Sequence, residues 1–131
     1  MVLDTSAIIA TVTNEPDGER YRAAMLDADD LSMSAVAVLE AKIVLCARFG
    51  EAAVTFFDEL LETAGIVVVP FDAEMTKAAF EAFQRFGKGG GHSAQLNIVD
   101  CTVYALAKMR SQALLFKGAD FAKTDIVAAL T

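Results

Sequence analysis

The sequence opens with Met1-Val-Leu-Asp-Thr-Ser-Ala-Ile-Ile-Ala10, in which a short apolar run meets an acid and continues directly into a second apolar stretch. The first three residues are typical of a buried strand, and Thr5 or Ser6 is a suitable N-cap for a helix that follows. Asp4 therefore stands where a strand ends and a helix begins. Because ligands gather at the carboxyl edge of open α/β sheets, we expect a functional site here.

Beyond this stretch, apolar runs with strand character alternate with segments of helical periodicity. Further strands are predicted at 31–33, 66–69, 113–116 and 126–130, the last of them at an edge. Predicted helices cover 18–27, 35–49, 51–64, 72–86 and 97–110. Such alternation predicts an α/β fold with a parallel sheet and right-handed crossovers. At 131 residues, we expect one domain over residues 1–131.

The composition is apolar and acidic. A hydrophobic fraction of 55% indicates a sheet buried on both faces, apolar surface kept for a partner, or both. The most apolar run, 35–47, is too short for a membrane span, and the N-terminus lacks a basic leader, so we expect a cytoplasmic protein. A net charge of -7 disfavours simple electrostatic binding of nucleic acid but suits carboxylates that bind divalent cations.

The two cysteines, Cys46 and Cys101, lack metal-ligand spacing and sit within apolar helical patterns. We therefore predict that both are reduced core residues.

Three further acids are candidates for a functional site, but each of them also has a possible structural role. Glu40 shares the stripe of Val36, Ile43, Val44 and Ala47, where an unpartnered carboxylate would be costly to bury. Asp100 opens an apolar helical stripe but could be part of a helix cap, as could Asp4. Asp120 follows a predicted strand, and nearby Asp125 is an alternative to it.

If these acids meet at one edge, the donor set identifies the ion. A cluster of carboxylates with no cysteine and at most one histidine is an oxygen-only site, which suits Mg²⁺ or Mn²⁺. Such ions, one or two in number, activate water and stabilise the leaving oxygen of a phosphodiester. The chemistry is that of a nuclease or a phosphatase.

Four segments together resemble the PIN-domain ribonucleases, in particular the VapC toxins of type II toxin–antitoxin systems. The matching segments are Val2-Leu-Asp-Thr-Ser-Ala-Ile-Ile9, the helix with Glu40, Gly87-Lys-Gly-x-x-His92-x-Ala94-x-Leu96-Asn97-x-x-Asp100-Cys101-x-x-Tyr104-Ala-Leu-Ala-Lys108, and Leu115-Phe-Lys-Gly-x-Asp120-Phe121-x-x-Thr124-Asp125-Ile126. The resemblance implies a three-layer α/β/α fold with five parallel strands. It also implies a Mg²⁺- or Mn²⁺-dependent endoribonuclease that hydrolyses RNA with metal-activated water, a homodimer, and inhibition by a cognate VapB-type antitoxin.

The resemblance also implies roles for particular residues. Asp4, Glu40 and Asp100 match the metal-binding acids, and Asp120 the more variable fourth acid. Thr5 and Ser6 match hydroxyl residues that position a carboxylate or a water. Candidate RNA contacts around the rim are Arg85, Lys88, His92, Lys117 and Lys123; for His92, a hydrogen bond that fixes its loop is an equal alternative.

Two other functions are compatible with part of the pattern. A phosphoryl-accepting receiver domain has a similar size and sheet, with Asp4, Asp72 and Lys117 in its key positions, although receivers carry adjacent acids after the first strand whereas Thr5 follows Asp4 here. The second alternative is a catalytically idle PIN-like subunit that only binds a partner.

Overall fold

The computed structural model describes residues 1–130, which form a parallel sheet covered by helices. The strands are β1 (Val2–Leu3), β2 (Leu31–Ser34), β3 (Ile66–Val69) and β4 (Leu114–Leu115). Their order is β3-β2-β1-β4, and every pairing is parallel. The chain runs outward from β1 through β2 to β3 and then returns to the other side of β1. The carboxyl ends of β1 and β4 therefore flank a topological switch point, the place where open α/β sheets bind ligands.

Six α-helices cover this sheet in the described residues. They are α1 (Thr5–Val12), α2 (Gly18–Asp27), α3 (Ala35–Phe49), α4 (Glu51–Thr63), α5 (Ala73–Phe86) and α6 (Ile98–Arg110), followed by a 3₁₀ turn at Phe121–Lys123. Helices α1, α3 and α4 contact one another, while α5 packs on α6. Helix α6 touches β1 and β2, and its residues from 101 to 107 are all buried. It is therefore the central helix of the core.

Helix starts follow the polar residues that precede them. Asp4, not Thr5 or Ser6, caps α1, because its carboxylate accepts a hydrogen bond from the Ser6 N–H. Ser34 and Asp72 cap α3 and α5. Asp4 is thus an N-cap, and this capping fixes its carboxylate at the end of β1.

The prediction of a fifth strand at 126–130 is wrong. This segment touches the sheet only through an isolated bridge between Leu114 and Ala128. Two backbone hydrogen bonds, Leu114 N–H to Val127 and Ala129 N–H to Leu114, hold it there. A single bridge does not make a ladder, so the sheet has four strands.

The predicted burial of Cys46 is also wrong, and several apolar side chains of β3 and α5 are exposed as well. Strand β3 is an edge strand with Val67 and Val68 exposed, since only β2 pairs with it. Cys46 is exposed, whereas Cys101 is buried; both are free thiols. Phe83 lies on the outer side of α5 and is 44% exposed.

Among residues 1–130, no helix has both the length and the apolar character needed to cross a bilayer.

Candidate metal centre

The four predicted acids line one pocket at the switch point, although they come from four separate segments. Asp4 follows β1, Glu40 lies on α3, Asp100 is in the first turn of α6, and Asp120 precedes the 3₁₀ turn after β4. The pocket has a volume of about 640 Å³. This space accommodates ions together with their waters and a phosphate.

Asp4 is the most buried of these acids, with an exposed fraction of 6%. Its Oδ2 accepts hydrogen bonds from the Ser6 N–H at 3.0 Å and the Ser6 hydroxyl at 2.5 Å. Burial raises the pKa of the Asp4 carboxyl, and the nearby charge of Glu40 adds to the rise, while the bonds from Ser6 oppose it. The carboxylate is therefore held in place at an electrostatic cost.

Asp100 is fixed by a reciprocal capping box at the start of α6. Asn97 Oδ1 accepts from the Asp100 N–H at 2.9 Å, and Asp100 Oδ2 accepts from the Asn97 N–H at 3.0 Å. Burial raises the pKa of Asp100 to about 6, and the charges of Asp4, Glu40 and Asp120 contribute to the rise. Three pocket acids thus act on the fourth, so the carboxylates lie within electrostatic reach of one another.

The surroundings of Glu40 on α3 are less buried than predicted. We expected it to lie within a buried stripe, but Ile43 and Ala47 are exposed and Val44 is only half-buried. The core face of α3 is instead formed by Ala37, Val38, Ala41 and Leu45. Glu40 therefore faces the pocket rather than the core, and needs no buried cationic partner.

Thr5 and Ser6 both support the pocket, but in different ways. The Ser6 hydroxyl donates to Asp4 and accepts from the Lys117 N–H at 2.8 Å, so it joins the segments that follow β1 and β4. The Thr5 hydroxyl donates to the Ala37 carbonyl oxygen at 3.2 Å. It therefore ties the start of α1 to the helix that carries Glu40.

Asp125 does not line this pocket. Its carboxylate accepts a hydrogen bond from the Tyr104 hydroxyl and forms ion pairs with Lys108 at 3.2 Å and Arg85 at 3.6 Å. These partners hold the pKa of Asp125 below its ordinary value. Of the two candidates for the fourth acid, only Asp120 lies with the others.

Most of the predicted RNA contacts lie outside the pocket or are already paired. Lys117 lines the pocket, but its ammonium group bonds Glu15 and Asp17. Arg85 stacks on the Phe86 ring at 4.6 Å, and the His92 Nδ1 accepts from the Ala94 N–H at 3.0 Å. The loop-fixing alternative for His92 is thus observed. Lys88 and Lys123 do not line the pocket.

Arg48 was not among the predicted site residues, yet it lines the pocket from the last turn of α3. The spacing of the sequence could have predicted its position, because Val44 and Arg48 follow Glu40 at steps of four residues and so share its helix face.

The donor set fits a hard divalent cation. All four acids offer oxygen, the ligand that Mg²⁺ and Mn²⁺ prefer. Across residues 1–130, no three Asp, Glu, His or Cys side chains stand close enough to form a ready-made ion cage. Mg²⁺ retains several waters and takes only one or two carboxylates directly, so a wide acidic pocket suits it.

The receiver-domain alternative does not match this geometry. Asp72 is the N-cap of α5, where Oδ1 accepts from the Met75 N–H at 2.9 Å, and it does not line the acidic pocket. Lys117 is bound to carboxylates of the α1–α2 connection. The residues needed for phosphoryl acceptance are therefore not assembled.

Comparison with known proteins agrees with this fold. The family model described as PIN domain matches residues 1–127. Ribonuclease VapC of Mycolicibacterium smegmatis is 45% identical over 128 residues, covering 98% of each chain. The crystal structure of Mycobacterium tuberculosis VapC20, a sarcin-ricin loop cleaving toxin, superposes with a TM-score of 0.81 at 17% identity, covering 96% of this chain and 95% of that one. A toxin–antitoxin complex from Klebsiella pneumoniae gives a TM-score of 0.74 at 14% identity, with 97% and 94% coverage.

The family match spans nearly the whole chain, and the curated relative extends over the same length, so this protein belongs to the PIN-domain family and is a VapC-type member of it.

Proposed function

We propose that this chain is the endoribonuclease toxin of a type II toxin–antitoxin system, and that Asp4, Glu40, Asp100 and Asp120 hold Mg²⁺ or Mn²⁺ for hydrolysis of RNA phosphodiester bonds. One observation carries the metal assignment: four acids from four segments line a single pocket at the switch point of the sheet. Their mutual repulsion, which adds to the effect of burial on the pKa of Asp100, is relieved when a cation binds.

The protein's own residues have separate tasks in this reaction. The bound cation supplies an activated water and charge stabilisation at the leaving oxygen. Asp4 and Asp100 are held by hydrogen bonds, so they present oxygens in fixed positions. Ser6 orients Asp4 and holds the segment leading to Asp120. Pre-positioned carboxylates lower the reorganisation needed when metal and RNA arrive.

The antitoxin partner is supported by family membership and by the toxin–antitoxin complex that shares the fold. We further propose that the antitoxin is of the VapB type and that it blocks the acidic pocket. The chain keeps apolar side chains exposed close to this pocket, including Leu39 and Ile43 on α3. Such surface suits a protein partner.

A homodimer is the second proposed assembly. An apolar groove of about 460 Å³ lies between α5 and α6 and is lined by Phe80, Phe83 and Ile98 among others. These three side chains are 60%, 44% and 80% exposed. Apolar groups exposed to this degree gain free energy when a second copy covers them.

The nuclease assignment is tested by mapping cleavage sites on total cellular RNA. Protein freed of antitoxin should give discrete new 5′ ends in Mg²⁺ or Mn²⁺, and the Asp4→Asn protein should give none. A fold that only binds a partner would give identical maps for both proteins, and this result would reject the proposal in favour of an idle PIN-like subunit.

A further inference from the structure

Arg48 is the one basic side chain of the acidic pocket for which the described residues offer no partner. It lies in the last turn of α3, on the same face as Glu40 and Val44. Neither a hydrogen bond nor an ion pair joins it to another residue in the 1–130 range. Its guanidinium is therefore available to a ligand in the pocket.

The second basic side chain of the pocket is in the opposite situation. Lys117 is paired with two carboxylates, Glu15 and Asp17, and these pairs raise the pKa of its ammonium group. A lysine neutralised in this way contributes little attraction for an anion. Among the basic residues that line the pocket, Arg48 is thus the free positive charge.

The position of Arg48 matches a role beside the reacting phosphate. Eight residues along a helix separate it from Glu40, a rise of about 12 Å, and helical side chains lean toward the helix N-terminus. Arg48 thus lines the same pocket as the acids from a position about two helical turns beyond Glu40. It can reach a backbone phosphate that neighbours the one lying among Asp4, Asp100 and Asp120.

Arginine suits this task better than lysine. Its planar guanidinium donates two parallel hydrogen bonds to phosphate oxygens and stays charged at any physiological pH. An acidic pocket repels RNA until cations bind, so a fixed positive charge at its rim also favours approach of the strand. Phosphate contacts of this kind set the register of a nucleic acid rather than read its bases.

We propose that Arg48 is a substrate-binding residue, which contacts an RNA backbone phosphate next to the scissile one and so aligns the strand across the acidic pocket. The proposal rests on the proposed nuclease function of this pocket. The competing role is purely structural, because a cation in the last turn of a helix interacts favourably with the helix dipole.

Arg110 provides a matched control for the structural role. It is likewise an exposed arginine in the last turn of a helix, α6, but it does not line the pocket. Replacing either arginine with alanine removes one charge from a helix end. Only Arg48→Ala should also remove a phosphate contact.

The test is RNA binding in an Asp4→Asn background, which prevents cleavage of the probe. A short, fluorescein-labelled single-stranded RNA of mixed sequence is titrated with Mg²⁺ present at several salt concentrations. Arg48→Ala should weaken binding about tenfold and reduce the slope of log K against log salt by about 0.7. Arg48→Lys should restore the salt slope but only part of the affinity, and Arg110→Ala should match its parent.

Equal affinities and slopes for Arg48→Ala and Arg110→Ala would overturn the proposal. Cleavage by the protein with all acids intact is measured separately. If that protein does not cut RNA but Arg48→Ala still loses affinity selectively, the nuclease function fails and the phosphate contact stands. If RNA is cut and Arg48→Ala binds normally, only the role of Arg48 is rejected.

Discussion

Asp100 takes part both in a helix cap and in the acidic pocket. The capping box with Asn97 favours its charged form, whereas burial and three neighbouring acids oppose it, and the pKa rises to about 6. The folded protein therefore binds a proton at the Asp100 carboxyl more tightly than the unfolded chain does, because the pKa of this group in the unfolded chain is 3.8. The resulting stabilisation is present below pH 3.8 and is lost as the pH rises to about 6.

The Asp100→Asn variant should consequently be more stable than the parent protein at neutral pH without metal. An asparagine oxygen still accepts the Asn97 N–H bond, but the charge that repels Asp4 and Glu40 is gone. We expect a midpoint of thermal unfolding about 3 °C higher in EDTA at pH 7, with the difference vanishing near pH 4. Differential scanning calorimetry at both pH values measures this.

Asp72→Asn is the control, because Asp72 also caps a helix but lies outside the pocket. It should not raise the unfolding midpoint. A lower midpoint for Asp100→Asn at neutral pH would contradict a shared carboxylate pocket.

The sequence predicted that these four acids share one edge of the sheet, but it predicted their burial less well. Asp4 and Asp100 stand at the starts of helices, and a local pattern suffices to find them. The surroundings of Glu40 depend on how α3 rotates against the sheet, which no local pattern specifies. Arg48 was missed because a basic residue at a helix end has an adequate local explanation.

The start of α1 is joined to the segment after β4 by a hydrogen bond that the Ser6 hydroxyl accepts. Ser6 bonds both the Asp4 carboxylate and the Lys117 N–H. We expect Ser6→Ala to weaken Mn²⁺ binding by about tenfold, because Asp4 loses a group that orients it. Isothermal titration calorimetry gives the affinity.

Ser32→Ala is a suitable control, since the buried Ser32 hydroxyl on β2 has no hydrogen-bond partner among residues 1–130. Its Mn²⁺ affinity should equal that of the parent. Unchanged affinity in Ser6→Ala would remove Ser6 from the positioning role.

Asp120 and Asp125, which the sequence left as alternatives for the fourth acid, have different surroundings in the structure. Asp120 lies with the pocket acids, whereas Asp125 is bound to Tyr104, Lys108 and Arg85. We expect Asp120→Asn to reduce RNA cleavage at least about tenfold. Asp125→Asn should instead lower the free energy of unfolding by about 1 kcal/mol with cleavage largely retained.

Cleavage rates and urea denaturation of both variants decide the ranking. The opposite pattern, with activity lost in Asp125→Asn and kept in Asp120→Asn, would assign the fourth position to Asp125.

The helices were predicted more accurately than the strands, for a physical reason. Helix ends depend on nearby caps such as Ser34 and Asp72, and hydrogen bonds within a helix are local. A strand depends on distant partners. The apolar segment 126–130 therefore resembles a strand but forms one bridge, and β3 resembles a buried strand but pairs on one side only.

The groove between α5 and α6 is an exposed apolar surface that suits a second copy of the chain. We expect a homodimer in sedimentation velocity experiments, and Phe80→Lys should weaken it at least about tenfold, because a charge would enter an apolar contact. Leu26→Lys alters a side chain on α2 that is 85% exposed, and it should leave the dimer intact. A monomeric parent protein, or dissociation by Leu26→Lys alone, would contradict this assignment.

The order of the strands explains why the sequence can predict a site whose residues are far apart along the chain. Parallel strands place their carboxyl ends at one edge, so an acid after β1 and another after β4 must lie near each other. The alternation of helices and strands was enough to predict this edge. The width of the pocket and the partners of each charge depend on packing, and they emerged only from the structure.

We propose that these acids hold the divalent cation with which the protein cuts RNA. The experiment incubates antitoxin-free protein with RNA in Mg²⁺ or Mn²⁺, in excess EDTA, and with Asp4→Asn or Glu40→Gln in place of the parent protein. Far-ultraviolet circular dichroism verifies that each variant is folded. We predict cleavage only by the parent protein with metal; cleavage that persists in EDTA, or in either folded variant, would contradict the assignment.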